Sequence, residues 1–191
     1  TALAEAGYPA QELEAKAVAL LNFGRKILPQ ADQLANTIAL EHFTAIMAET
    51  LLTHAYTLDG APPRMAALWR WHAIEETEHK AVAFDVYQAV TGGGLRAYLR
   101  RCLIMISVSV LFLTQTFYTH YRLIKHDGLQ RDWRGWRGFL RFLFINPGAL
   151  SKIALPWLRY FKPGFHPWQH NNRAHVERWK AAYAAAGVPP P

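Results

Sequence analysis

The sequence predicts an all-α fold on three observations. Apolar residues recur at three- and four-residue spacing over long segments, which is the period of an amphipathic helix. Proline and glycine sequences separate these segments. No stretch of convincing length alternates apolar and polar residues as a β-strand would. With 51% hydrophobic residues, the chain can bury a core and is not of the disordered class over most of its length.

The first two helices are predicted from their composition and their boundaries. Residues 10–27 are rich in good helix formers and end before Pro29, which a helix interior would not tolerate. Asp32 can cap the next segment, residues 34–56, in which apolar residues keep helical spacing. This long second helix should end before the Asp59-Gly60 turn.

The third helix is expected to begin at Pro62-Pro63, because proline is favoured in a first helical turn. The sequence then continues without a proline or glycine to Thr91 and the three glycines that follow it, so one uninterrupted helix is predicted. The short connection before it places the second and third helices side by side as an antiparallel hairpin.

Charge divides the chain into two regions. Residues 1–95 contain six lysines and arginines against eleven acidic residues, whereas residues 96–191 contain fifteen against three, within a net charge of +7. We therefore expect a first region, residues 1–95, that carries the chemistry described below. The second region, residues 96–191, should consist of a hydrophobic helix followed by a basic, aromatic-rich helical C-terminal part.

Residues 102–121 contain no lysine, arginine, aspartate or glutamate and are long enough to cross a bilayer core. Several polar residues interrupt this segment: Ser107, Ser109, Thr114, Gln115, Thr116, Thr119 and His120. We favour a buried or membrane-surface helix over a true span on this ground, and both remain open.

The basic residues that follow are interleaved with bulky aromatic ones across residues 128–168. No motif for reading a nucleic acid occurs, so a nucleic-acid partner is not expected. The mixture suits a helix that lies at an anionic membrane surface. The single cysteine, Cys102, excludes an internal disulfide and a thiolate zinc site and favours a reducing compartment. We expect a cytoplasmic protein that is peripheral to the inner membrane.

Four ionisable residues of the third helix carry the main chemical signal. They are His72, Glu75, Glu76 and His79, at positions i, i+3, i+4 and i+7, so their side chains share one helix face. Unpaired charges among apolar neighbours are costly to bury, and a bound cation removes that cost. Glu76 and His79 also have the Glu-x-x-His spacing with which helical di-iron proteins bind metal. The alternative is a solvated charged face.

The preceding helix supplies a further carboxylate. Glu41 lies in the otherwise apolar sequence IALEHFTA, where an unpaired carboxylate is rare. A helical di-metal site takes one glutamate from such a neighbouring helix. His42 projects about 100° away from Glu41, so it is either a group that supports the metal ligands or a core histidine.

The segments WHAIEETEHKAVAFDVY, LEHFTA and GFHPWQHNN together resemble bacterial proteins described as predicted metal-dependent hydrolases. The resemblance covers nearly the whole chain and implies a ferritin-like helical core. It also implies a dinuclear site to which Glu41, Glu76 and His79 correspond. In the family an earlier region supplies a further glutamate and a Gln-Glu-x-x-His-x-x-x-His helix, and this sequence contains neither. We therefore expect a partial bundle with half of the ligands, and a homodimer that could complete the site.

Three functions remain open. The first is hydrolysis of an ester or phosphoester at a dinuclear metal site, with Glu75 or His72 transferring the proton. The second is a di-iron oxidase or oxygenase that acts on an apolar or lipid substrate. The third is a non-catalytic helical protein of the membrane surface. For the first two, the ligand types favour iron, with manganese or zinc as alternatives, and a small-molecule or lipid substrate.

Overall fold

The computed structural model describes residues 2–185, and the fold of this part is all-α, as predicted. No β-strand occurs among these residues. The helices are α1 (Ala2–Glu5), α2 (Ala10–Ile27), α3 (Gln30–Thr53), α4 (Pro63–His79), α5 (Val82–Thr91), α6 (Leu95–His126), α7 (Trp133–Phe144), α8 (Ala149–Arg159) and α9 (Arg173–Ala185). Two 3-10 helices, Ala55–Leu58 and Pro167–Gln169, lie in the connections. The ferritin-like arrangement of these helices stays a prediction.

The first two predicted helices are confirmed, but α3 differs at both ends: it also stops at Thr53, short of the predicted residue 56. The helix begins at Gln30, directly after Pro29, and no side chain caps it. Asp32 therefore lies in the first turn and is not the capping residue. Its carboxylate forms an ion pair with the Arg100 side chain of α6, with Oδ1 2.8 Å from Nε. Asp32, which the sequence predicted to be a capping residue, thus connects the start of α3 to α6.

The prediction of one uninterrupted helix from Pro63 to Thr91 is wrong. The helix stops at His79, and Lys80 and Ala81 separate α4 from α5. The Lys80 ammonium donates hydrogen bonds to the His170 carbonyl and the Asn172 side chain, each at 2.7 Å. These partners lie about ninety residues away in the chain, which is why no local pattern marks the break.

The helix α3 lies at the centre of the described fold and packs against α4, α5, α6, α8 and α9. One core cluster joins α3 and α5 to α6 and to aromatic residues that follow it, Tyr160 and Phe165. A second joins the end of α3 to α4 and α9, with Leu52 and Ile74 at its centre. The two charge-defined regions of the chain therefore share core contacts.

The antiparallel pairing of α3 and α4 fixes the position of the predicted ligands. Leu52, near the end of α3, clusters with Ala73 and Ile74 of α4, and Ala67 of α4 packs against the same cluster. Glu41, in the middle of α3, instead lies close to Glu76, His79 and the Ala83 backbone. All three influence the pKa of its carboxyl. Residues far apart in the sequence are thereby brought to one end of the hairpin.

The 32-residue helix α6 is long and apolar enough to cross a membrane by length and composition. Only 17% of its most apolar 18-residue window is buried. One face of α6 packs on α3, where Phe112 stacks on Phe43 with ring centroids 5.2 Å apart. The opposite face is exposed, and its residues are described below.

Candidate metal centre

The four predicted site residues of α4 lie on a different face of the helix from the residues that contact α9. Tyr183 and Lys180 of α9 contact Ala67 and Glu78 of α4, and the Glu78–Lys180 ion pair is 2.6 Å long. His72, Glu75, Glu76 and His79 project from a different face and are partly exposed. We call this face, together with Glu41 of α3, the carboxylate edge.

His72 stands between the two glutamates of the edge. Its Nδ1 is 3.7 Å from a carboxylate oxygen of Glu75, and its Nε2 is 3.5 Å from one of Glu76. These separations are at the long end for ion pairs, and the side chains are solvated, so the contacts stabilise the helix only weakly. The imidazole therefore lies within reach of both carboxylates.

Glu41 is the buried member of the edge. Its Oε2 is inaccessible to solvent and has no hydrogen-bond partner among residues 2–185. Burial raises the pKa of the Glu41 carboxyl, and repulsion from Glu76 raises it further, while the Ala83 backbone N–H and His79 lower it. A buried carboxylate oxygen without a partner is uncommon in a native fold, and a bound ion or water is what usually satisfies such a group.

The donor types of the edge fit a divalent metal ion, although the donors do not yet converge. Glu41, Glu76 and His79 offer carboxylate oxygen and imidazole nitrogen, which suit iron, manganese and zinc. Among residues 2–185, no group of three or more His, Cys, Asp and Glu side chains is arranged to hold a metal ion. The Glu41 Oε2 atom could bind a metal ion as it stands. The side chains of Glu76 and His79 would have to rotate towards Glu41 to bind the same ion.

His42, predicted as a group that supports the ligands, is engaged elsewhere. Its Nε2 lies 3.2 Å from the carbonyl oxygen of Pro156, and its ring packs against Tyr160 and Phe165. Burial lowers the pKa of His42 to about 4. These contacts hold α8 and the chain after it against α3, which is the behaviour of a core histidine; a supporting role at the metal stays a prediction.

A cavity of about 400 Å³ lies on the same side of α3 as α8. His42 and Glu49 of α3 line it, with Lys80, Phe165 and His170. Burial lowers the pKa of Lys80 to about 8. None of Glu41, Glu76 and His79 lines this cavity. The cavity is therefore distinct from the three predicted ligands, although their chain neighbours His42 and Lys80 line it.

Two acid–histidine pairs were not predicted from the sequence. Glu49 of α3 binds His170 at 2.5 Å, and Asp85 of α5 binds His166 at 2.8 Å. Both histidines belong to the segment GFHPWQHNN, so the pairs fasten this segment to α3 and α5. The high content of histidine, proline and asparagine in this segment was the only sequence feature that could have indicated the pairs. It does not identify their acidic partners.

Comparison with known proteins supports one relationship. No curated protein and no solved structure shows a significant match to the chain. A family model described as "predicted metal-dependent hydrolase" matches residues 1–171, which include the whole carboxylate edge and both acid–histidine pairs. The match covers most of the chain, and the family implies a divalent metal. The chain belongs to the family of predicted metal-dependent hydrolases.

Proposed function

We propose that this chain carries one side of a dinuclear metal centre that hydrolyses an ester or phosphoester. Glu41, Glu76 and His79 would be its metal ligands. The observation that carries the proposal is the buried Oε2 of Glu41, which has no hydrogen-bond partner and lies beside a second carboxylate. Membership of the metal-dependent hydrolase family supports the reaction class.

A cation accounts for the arrangement better than protonation alone. Two neighbouring carboxylates repel each other, and burying one of them without a partner costs free energy. Protonating Glu41 would relieve the repulsion but would leave Oε2 unpartnered. A divalent ion between Glu41 and Glu76 would neutralise both and use the free oxygen, and the imidazole of His79 would add a nitrogen ligand.

The chemistry would be shared between the metal and the exposed part of the edge. A divalent metal supplies polarisation of the substrate oxygen and a lowered pKa for bound water. His72 is the candidate base, because its ring nitrogens lie between Glu75 and Glu76 and it can pass a proton to either. Glu75 would then hold His72 in position or accept that proton. The partly exposed face leaves room for a substrate to approach.

The half-site must be completed from another source. Three ligands cannot fill the coordination of two metal ions, and the α4 side chains of the edge are partly exposed to solvent. A second copy of this chain, related by a two-fold axis, would bring a second Glu41, Glu76 and His79 to the same place. A homodimer is therefore part of the proposal.

The test is metal binding by matched variants. Purified protein is loaded with iron, manganese or zinc, and bound metal is measured by elemental analysis after desalting. Glu76→Gln and His79→Gln should each weaken binding at least about tenfold, since each removes a proposed ligand. Glu78→Gln is the control, because Glu78 is paired with Lys180 on another face and its loss costs little.

Circular dichroism shows that each variant is folded before its metal content is compared. Equal metal retention in all three variants would refute the ligand assignment. Hydrolysis of p-nitrophenyl acetate and of bis(p-nitrophenyl) phosphate by the loaded protein then tests the reaction class. Iron-dependent oxygen consumption without hydrolysis would support the di-iron oxidase alternative in place of hydrolysis.

A further inference from the structure

The helix α7 presents three parallel rows of side chains. Its inner row packs towards the rest of the protein and consists of Trp136, Phe139 and Leu143. Beside it runs an outer row that is bulky, apolar and exposed: Trp133, Leu140 and Phe144. Next follows an exposed basic row: Arg134, Arg137 and Arg141. Within each row the members are three, four or seven residues apart, so they lie on one line along the helix.

The outer row is unusually exposed for its residue types. Trp133 is 83% exposed, and Leu140 and Phe144 are each more than half exposed. Apolar side chains scattered singly over a surface need no explanation, but a contiguous patch marks a site of interaction. The Asp132 side chain caps α7 by accepting a hydrogen bond from the Arg134 N–H at 3.0 Å, so the helix that carries the row has a defined start.

The basic row has no acidic partner within the described chain. None of the salt bridges among residues 2–185 includes Arg134, Arg137 or Arg141. Three aligned arginines without an acidic partner lie beside exposed aromatic residues. This combination fits a partner whose surface is anionic and whose interior just beneath the charges is apolar. The headgroup layer of an anionic bilayer has this composition.

The outward face of α6 extends the same surface. Leu99, Leu103, Ile106 and Val110 follow one another at four- and three-residue spacing, and all are about half exposed or more. Phe117 continues this line seven residues later, and its ring meets Phe139 of α7 with centroids 6.1 Å apart. The exposed face of α6 therefore leads directly to α7.

We propose that α7 and the outward face of α6 form a docking surface for an anionic bilayer. The helix α7 lies in the plane of the headgroups, with Trp133, Leu140 and Phe144 inserted and Arg134, Arg137 and Arg141 on lipid phosphates. The surface is separate from the carboxylate edge, and this docking does not depend on the hydrolase proposal.

Packing of α6 favours docking over spanning. Along its length α6 contacts α3: Arg100 pairs with Asp32 near one end, and Phe112 stacks on Phe43 further along. The helix α3 carries Glu41 and Glu49, and a bilayer around α6 would surround these charges as well. Burying such groups in hydrocarbon is unfavourable, so one face of α6 can meet lipid while the other remains on α3.

The experiment measures co-sedimentation of the full chain with two kinds of vesicle. One kind contains phosphatidylcholine alone, and the other mixes it with phosphatidylglycerol. We expect binding to the anionic vesicles that weakens as salt rises, because electrostatic attraction to the headgroups is screened. The triple variant Arg134→Gln, Arg137→Gln, Arg141→Gln should bind about a hundredfold more weakly, from about fivefold for each arginine.

A charge-matched control distinguishes binding through this surface from binding that depends only on the net charge of the protein. The variant Arg25→Gln, Lys26→Gln, Arg64→Gln removes three exposed basic residues outside α6 and α7 and should bind nearly as the wild type does. Trp133→Ser should weaken binding without unfolding the protein, because its side chain is mostly exposed. Circular dichroism checks that every variant is folded.

Three results would overturn the proposal. The first is no binding to anionic vesicles, and the second is equal loss of binding in the two triple variants. The third is binding that resists salt and is released only by detergent, which would indicate that α6 spans the bilayer. A further measurement excludes a second copy as the occupant: sedimentation velocity without vesicles should be unchanged by Trp133→Ser and Leu103→Ser, and dissociation of a dimer would contradict docking to lipid.

Discussion

His42 Nε2 lies 3.2 Å from the Pro156 carbonyl oxygen, an acceptor that is not used by the backbone N–H of Tyr160. That N–H instead bonds to Trp157, because the end of α8 tightens beyond its proline. The histidine donates the missing hydrogen bond through Nε2, which requires its ring to be in the Nε2–H form when neutral. One side chain of α3 therefore compensates for a distortion in α8.

The pH dependence of stability should report this contact. Burial lowers the pKa of His42 to about 4 from an ordinary value of 6.5. The contribution of the neutral ring is complete above about pH 6.5 and is lost as the pH falls towards 4, because the unfolded chain takes up the proton first. The free energy of unfolding should fall by about 3 kcal/mol from this group over that interval.

Urea unfolding at several pH values between 7 and 4 measures the effect against His42→Gln. Glutamine can donate to the Pro156 carbonyl but does not titrate, so the difference between the two proteins isolates the histidine from other acid effects. An identical pH dependence in both proteins would show that His42 is not held neutral by burial.

Replacing Glu41 should have opposite effects with and without metal. Its raised pKa means that ionisation is disfavoured in the folded protein, so this group lowers stability as the pH rises through that pKa. Glu41→Gln should therefore raise the thermal midpoint of the metal-free protein at neutral pH. Metal in hundredfold excess over Kd should stabilise the wild type by about 2.7 kcal/mol and leave the variant unchanged.

Calorimetry with and without metal measures both effects. A variant that is less stable than the wild type in both conditions would mean that Glu41 is a structural acid and not a ligand.

Arg101 is a buried cation that should be essential for packing between α6 and the chain after α8. It is 4% exposed and donates hydrogen bonds to the carbonyl oxygens of Tyr160 and Lys162. Aromatic rings surround the guanidinium, including Tyr98 and Tyr160 with centroids 5.2 and 4.8 Å away. No salt bridge among the described residues includes it, so carbonyl dipoles and ring faces stabilise its charge.

Arg101→Met should reduce the free energy of unfolding by about 2–4 kcal/mol, because it leaves the buried Tyr160 carbonyl and the partly buried Lys162 carbonyl without their donor. Arg100→Met is the neighbouring control: Arg100 makes a solvated pair with Asp32, and its loss should cost less than about 1 kcal/mol. Urea unfolding of the two variants checks the contrast, and equal destabilisation would contradict the assigned role.

The parts of the fold that local sequence determines were predictable. Pro29 and the glycines after Thr91 mark helix boundaries through backbone geometry alone. The helical period likewise grouped His72, Glu75, Glu76 and His79 on one face. Partners of buried charges were not predictable, because a basic residue such as Arg101 looks like a surface residue until the helices are packed.

Long-range contacts account for the remaining differences. The break at Lys80 depends on His170 and Asn172, and the pairing of Asp85 with His166 joins residues 81 positions apart. Neither leaves a periodic signal in one sequence. Assigning Asp32 as a cap failed for a related reason, since Pro29 already starts α3 and Arg100 supplies the carboxylate with a partner.

Metal should promote dimerisation if two copies complete the centre. Each copy offers three ligands at a partly exposed edge, and a shared pair of ions would link the edges across a two-fold axis. Sedimentation velocity should show a larger dimer fraction with iron, manganese or zinc than with a chelator, at two metal ions per dimer. Glu76→Gln should abolish the metal effect, whereas Glu78→Gln should preserve it. A protein that stays monomeric while it binds two metals tightly would contradict the shared centre, because one copy would then have to supply ligands beyond Glu41, Glu76 and His79.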